Sequence, residues 1–128
     1  MKKKILIVDD DREFVEELKE IFLYEGYEVL CKYSGVSVIA AVIKEKPSII
    51  LLDLRMPDKN GFEVEEELET DPGASRVPVI IISGNDADES FAELNRKKNV
   101  RLCITKPPPI PTLISAVKRI TCGNNKTL

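Results

Sequence analysis

The stretch Ser48-Ile49-Ile50-Leu51-Leu52-Asp53 decides the fold. Four large apolar residues in a row, preceded by Pro47 and closed by a carboxylate, read as a short buried strand. A carboxylate is poorly tolerated in a core, so Asp53 marks the point where the chain emerges into water. The run Ile5-Leu6-Ile7-Val8 ends the same way, in Asp9, Asp10 and Asp11. If the two strands lie parallel, their ends meet on one edge of a sheet and four carboxylates crowd together there. Such a cluster repels itself unless a cation sits among its members.

Outward from these strands, short apolar runs alternate with amphipathic segments. Residues 12–24 place Phe14, Leu18, Ile21 and Phe22 on one helical face, with Gly26 as the stop. Residues 27–33 form a weaker strand candidate. Residues 36–46 carry Val36, Ile39, Ala40 and Ile43 at helical spacing, and Pro47 ends the segment. After Asp53 comes a loop rich in turn residues, Met56-Pro57-Asp58-Lys59-Asn60-Gly61, then an acidic helix over 62–69 with Val64 and Leu68 facing inward. A fourth strand is expected over 77–82 with Ser83-Gly84-Asn85 as its exit. A helix over 86–97 follows, anchored by Phe91 and Leu94, and then a fifth strand over 100–105. Lys106 and Pro107-Pro108-Pro109 form the next loop, and Leu113, Ile114, Val117 and Ile120 mark a last helix. Five strands alternating with five helices predict an α/β three-layer sandwich around a doubly wound parallel sheet. Right-handed crossovers put every strand end on one side, where such sheets bind ligands.

The 128 residues suffice for one domain with a substantial core. A formal net charge of -3 offers no basic field for nucleic acid, and Lys2-Lys3-Lys4 and Arg96-Lys97-Lys98 read as solvated clusters. No run approaches the roughly 18 apolar residues needed to span a bilayer. Cys31, Cys103 and Cys122 lack a Cys-x-x-Cys spacing and read as reduced thiols of a cytoplasmic protein. The chain has no histidine, which removes His-based metal sites and Ser-His-Asp triads. Any metal must be held by oxygen, which favours a hard cation such as Mg²⁺.

The polar residues that end the apolar strands are therefore the candidates for chemistry: Asp9, Asp10, Asp11, Asp53, Ser83 and Lys106. A carboxylate can attack a phosphoryl group to give an acyl phosphate. That reaction asks mainly for positioning and for neutralisation of charge on the phosphoryl oxygens. Mg²⁺ held by Asp10 and Asp53 would supply one share of positive charge and Lys106 another, with Ser83 available to hydrogen-bond a phosphoryl oxygen. The plainer reading of Asp9 and Asp11 is as caps of the first helix, and Asp11 fits that role best.

Four motifs at these strand ends carry a resemblance: Ile-Leu-Ile-Val-Asp-Asp-Asp at 5–11, Asp-Leu-Arg-Met-Pro at 53–57 with Gly61, Ile-Ile-Ile-Ser-Gly at 80–84, and Lys-Pro at 106–107. Over residues 2–121 the chain resembles the receiver domain of two-component response regulators, leaving 122–128 as a disordered tail. The resemblance implies a flavodoxin-like strand order 2-1-3-4-5 and a phosphorylation switch rather than an enzyme. Asp53 would be the phosphoacceptor, served by the phosphohistidine of a histidine kinase or phosphotransfer protein. Asp9, Asp10, Asp53 and the backbone carbonyl of Arg55 would hold Mg²⁺ or Mn²⁺. Ser83 would be the switch hydroxyl, Lys106 the phosphate-pairing lysine, and Lys106-Pro107 a cis peptide. Output would pass to a downstream protein partner or to a further domain of a longer chain. The face of helix four, strand five and helix five is a candidate homodimer surface.

Three positions depart from the family pattern. Cys103 stands where receivers usually carry Tyr or Phe, Asn60 where they often have Asp, and Pro108 where an aromatic commonly follows Lys-Pro. Cys103 at the switch position is equally read as a small core residue. Cys103 and the altered proline loop keep open a receiver-like binding module that works without phosphate. A third reading, a small phosphatase of the haloacid dehalogenase type, rests on Asp9-Asp10-Asp11 as its Asp-x-Asp start. It lacks an acidic pair after Lys106 and room for a substrate cap.

Overall fold

The run that ends at Asp53 is the middle strand of a five-stranded sheet. The computed structural model describes residues 2–84 and 88–123. In chain order the elements are β1 (Lys4–Val8), α1 (Arg12–Tyr24), β2 (Glu28–Lys32), α2 (Val38–Glu45), β3 (Ile49–Leu52), α3 (Gly61–Thr70), β4 (Val79–Ser83), α4 (Asp88–Leu94), β5 (Val100–Thr105) and α5 (Ile110–Thr121). The strands are ordered β2-β1-β3-β4-β5 and every pairing is parallel, the flavodoxin-like order expected.

Alternation along the strands divides the core into two layers. Ile5, Ile7, Ile49, Leu51, Ile80 and Ile82 face α1 and α5, against Val15, Leu18, Phe22, Leu113 and Val117. Leu6, Val8, Ile50, Leu52, Val79 and Ile81 face the other way, onto Val38 and Val42 of α2, Val64 and Leu68 of α3 and Leu94 of α4. Because both faces are covered, β1, β3 and β4 are continuous apolar runs rather than alternating ones.

Register then places the site. Val8 pairs with Leu52, so the next residues, Asp9 and Asp53, leave the sheet side by side. The ladder continues one step further, with the Asp53 amide donating to the Val8 carbonyl at 2.9 Å and the Asp9 amide to Lys32 at 3.0 Å. Ser83 pairs with Thr105, which brings Lys106 to the same edge.

Helices α2 and α4 and strand β4 differ most from the sequence expectation. Helix α2 begins after Ser37, which has left-handed backbone, and buries Val38 and Val42; Val36 and Ile43 are 53% and 47% exposed. The run Val38-Ile39-Ala40-Ala41-Val42-Ile43 is apolar all round, so periodicity could not choose its buried side. Strand β4 begins after Pro78, which has no N–H to offer a ladder and contributes only its carbonyl, to Ile50 at 2.9 Å. Helix α4 ends at Leu94 rather than 97, its exit tightened by bonds from Arg96 to Glu93 and from Lys97 to Leu94. At the C-terminus, Cys122 still caps α5. Asn85, Asp86 and Ala87, and residues 124–128 of the tail expected over 122–128, lie outside the described residues.

Candidate functional site

Asp9 is the first residue past β1, and its Oδ1 accepts the Asp11 amide at 2.9 Å. This tight turn holds the Asp9 carboxylate over the sheet edge and leaves the Asp10 side chain outside, exposed. Asp11 is the N-cap of α1, accepting the Phe14 amide at 3.2 Å, so it is spent on the helix and not on the site. Asp9 and Asp53 are 2% and 4% exposed. Asp9, Asp10 and Asp53 each offer a carboxylate oxygen within 4.8 Å of the others.

Lys106 reaches over this cluster from the end of β5. Its Nζ lies 2.8 Å from Asp9 Oδ2 and 3.6 Å from Asp53 Oδ1. The ammonium also sits 4.6 Å from the ring centroid of Phe14, a cation–π contact that holds the long side chain in place. Burial, with the Asp9 charge next, pushes the Asp53 carboxyl up to about 6, against the opposing Lys106 charge and the Arg55 backbone N–H. Burial likewise raises Asp9 in spite of its bond to Lys106. Burial works to lower Lys106, yet the Asp9 bond and the charges of Asp9, Asp53 and Asp11 outweigh it and raise the ammonium.

Three formal negative charges against one positive leave the cluster two charges short of neutral. Its donors are all carboxylate oxygens, and one of them is open to solvent. That combination fits a hard divalent cation with oxygen ligands and retained water.

Glycines let the neighbouring loop close over the site. A Cβ on Gly61 would stand 2.2 Å from the Asp53 carbonyl oxygen and 2.7 Å from Leu54 Cα, so only glycine permits α3 to start there. Gly35 plays the matching part opposite, where a Cβ would meet the Lys59 carbonyl at 2.2 Å. Asn60 caps α3 through a reciprocal box, accepting the Glu63 amide at 2.9 Å while Glu63 Oε1 accepts the Asn60 amide at 3.1 Å. Asparagine thus does the capping work of the expected aspartate without adding charge. An open cleft of about 340 Å³ beside the loop is lined by Asp10, Arg55, Met56, Pro57 and Asn60 among others.

Ser83 closes β4, fully buried, and its Oγ has no partner among the described residues. Its carbonyl accepts the Lys106 amide at 2.7 Å, and the Lys106-Pro107 bond is cis. Cys103 is half-buried on β5 opposite Ile81, and its Sγ lies 3.6 Å from Asn95 Oδ1 as a donor. Burial, with Glu65 adding to it, pushes this thiol up to about 11, so it stays protonated at neutral pH.

The structure therefore brings Asp9, Asp10, Asp53 and Lys106 together and sets Ser83 beside Lys106, while Cys103 lies three residues before Lys106 on the side of α4. Helical periodicity places Phe14 on a core face and does not single out Gly35. The signal for Phe14 was its position one turn into the helix capped by Asp11. Gly35 carried no signal, because its close neighbour, the Lys59 carbonyl, is distant in sequence.

Residues 5–118 match the family described as "Response regulator receiver domain". The chain is 32% identical over 120 residues to protein PilH of Pseudomonas aeruginosa, covering 94% of this chain and 98% of that protein. A solved CheY-like response regulator receiver domain protein from Methanospirillum hungatei superposes with a TM-score of 0.84 at 27% identity, covering all of both chains. The signal receiver domain of a signal transduction histidine kinase from Syntrophus aciditrophicus gives 0.83 at 29% identity, covering 94% of this chain and 91% of that one.

Proposed function

The chain belongs to the response regulator receiver domain family, and from that premise we propose that it is a phosphorylation-dependent signalling switch with Asp53 as its phosphoacceptor. The observation that carries this reading is the buried Asp53 carboxylate set between Asp9, Asp10 and the Lys106 ammonium. An Asp53 oxygen attacks phosphorus, an O–P bond forms, and the N–P bond of a kinase or phosphotransfer phosphohistidine breaks, with imidazole leaving. Lys106 pairs with a phosphoryl oxygen, and the unpartnered Ser83 hydroxyl donates to another. Asp9, Asp10, Asp53 and the Arg55 carbonyl would hold Mg²⁺ or Mn²⁺. When bound, the ion supplies positive charge to the phosphoryl oxygens.

The output partner is a protein read through the side of α4 and β5 that carries Cys103, with the adjoining α5 as a candidate dimer surface. The haloacid-dehalogenase reading is not carried forward, because the matched family is a different one. The test is incubation with acetyl phosphate and Mg²⁺, followed by intact mass. One phosphoryl group should be gained, and the gain should vanish with EDTA; gain that is unaffected by chelation would contradict the reading.

A further inference from the structure

A third carboxylate, outside this cluster, is also buried. Glu65 lies in the middle of α3 on the inward stripe with Val64 and Leu68 and is 0% exposed. Its partner is Asn99, 5% exposed, in the turn before β5, whose Nδ2 donates to Glu65 Oε1 at 2.9 Å. The same residue anchors β4, since the Asn99 carbonyl accepts the Val79 amide at 2.8 Å. Among the described residues, Glu65 Oε2 and Asn99 Oδ1 are both buried and both without a partner. Each is an acceptor, so the pair lacks one hydrogen, and a single O–H would serve both.

The surroundings do not favour a charge on Glu65. Lys97, in the turn after α4, is the cation facing it, but its ammonium is engaged by Glu69 at 2.8 Å. Glu69 and Glu66, on α3, add negative charge around that lysine. Cys103, on β5, is a thiol held protonated by burial. Burial raises the Glu65 carboxyl to about 7, with the Asn99 bond and the Lys97 charge opposing it.

We propose that Glu65 is a carboxylic acid in the resting fold, donating its Oε2–H to Asn99 Oδ1, so that an acid–amide pair latches α3 to the turn feeding β5. Loss of this proton to solvent leaves two acceptors facing no donor and releases the latch, which makes the packing of α3 against the turn before β5 sensitive to pH near neutrality. The device is independent of phosphate at Asp53. It sits on the same helix as the phosphoacceptor loop, one turn beyond Gly61.

Because the folded carboxyl lies above its ordinary 4.5, the folded state holds the proton longer than the unfolded chain. The stability it contributes is complete below pH 4.5 and is lost as pH rises through about 7. The folding equilibrium constant should fall by about a hundredfold over that span.

The experiment is carbon-13 NMR of the side-chain-labelled wild-type chain between pH 4.5 and 8.5, with the Glu65 Cδ signal identified by its loss in Glu65→Gln. A midpoint near 7 is expected; a midpoint near 4.5 would overturn the proposal. Glutamine supplies an N–H where the acid supplies an O–H. In urea titrations the fall in the folding constant from pH 5.5 to 8.5 should therefore be about tenfold or more smaller in Glu65→Gln than in wild type. Equal falls would overturn the proposal. If the variant does not fold, the wild-type titration decides alone, with the Glu65 Cδ signal assigned through bonds from its own backbone resonances.

Discussion

At the residue scale, the fold sets Asp53 where its charge is resisted, and that resistance is measurable. Its carboxyl is raised from 3.8 to about 6, so the folded state retains the proton longer than the unfolded chain. Stability from this residue is present below pH 3.8 and is lost as pH rises through about 6. Asp53→Asn removes that loss and one of the three crowded charges. In metal-free buffer at pH 8 its urea midpoint should exceed the wild type's by the equivalent of about 1–3 kcal/mol, and a lower midpoint would contradict this account of the cluster. Mg²⁺ should stabilise the wild type and have a weaker effect on the variant, seen as a smaller shift in thermal midpoint. Asp9, Asp10, Asp53, Ser83 and Lys106 were all legible as residues that end apolar strands. Glu65 was not, because it stands in a run with Glu63, Glu66, Glu67 and Glu69 that reads as a solvated face. Its position next to Val64 and one turn before Leu68 was the signal that it points inward.

At the scale of elements, the loop after β3 is shaped by backbone contacts that composition only hints at. Gly61→Ala forces a methyl against the Asp53 carbonyl and Leu54 Cα, neither of which can swing aside. A loss of about 3 kcal/mol in urea unfolding is expected, together with weaker Mg²⁺ binding as the loop shifts. Asn60→Asp should keep the cap and its stability, whereas Asn60→Ala should cost about 1 kcal/mol. Helix α2 ends on Lys46, a non-glycine with φ +50° in the left-handed region. Lys46→Gly should raise stability by about 1 kcal/mol, seen as a higher thermal midpoint. The presence of each helix and strand was legible from runs and stops. The buried face of α2 was not, because its sequence is apolar on every side, and the short exit of α4 was not, because nothing after Leu94 breaks a helix.

At the scale of the whole molecule, function follows from two facts about a parallel sheet. Its strands all end on one edge, and the β1–β3 register brings Asp9 and Asp53 to the same level there. Both were readable once the two apolar runs were seen to stop at carboxylates, since parallel alternation leaves few other arrangements. The closeness of Lys106 to Asp9, tighter than to Asp53, was not readable, because it depends on the geometry of β5 and on the Phe14 ring beneath the ammonium. The role proposed for this edge is to place a phosphoryl group on Asp53. The most direct test is to treat the wild-type chain with acetyl phosphate and Mg²⁺, reduce it with borohydride, and sequence the peptide by mass spectrometry. Homoserine is expected at position 53, with no product from Asp53→Asn; a reduced residue at any other position, or full phosphate incorporation into Asp53→Asn, would contradict that role.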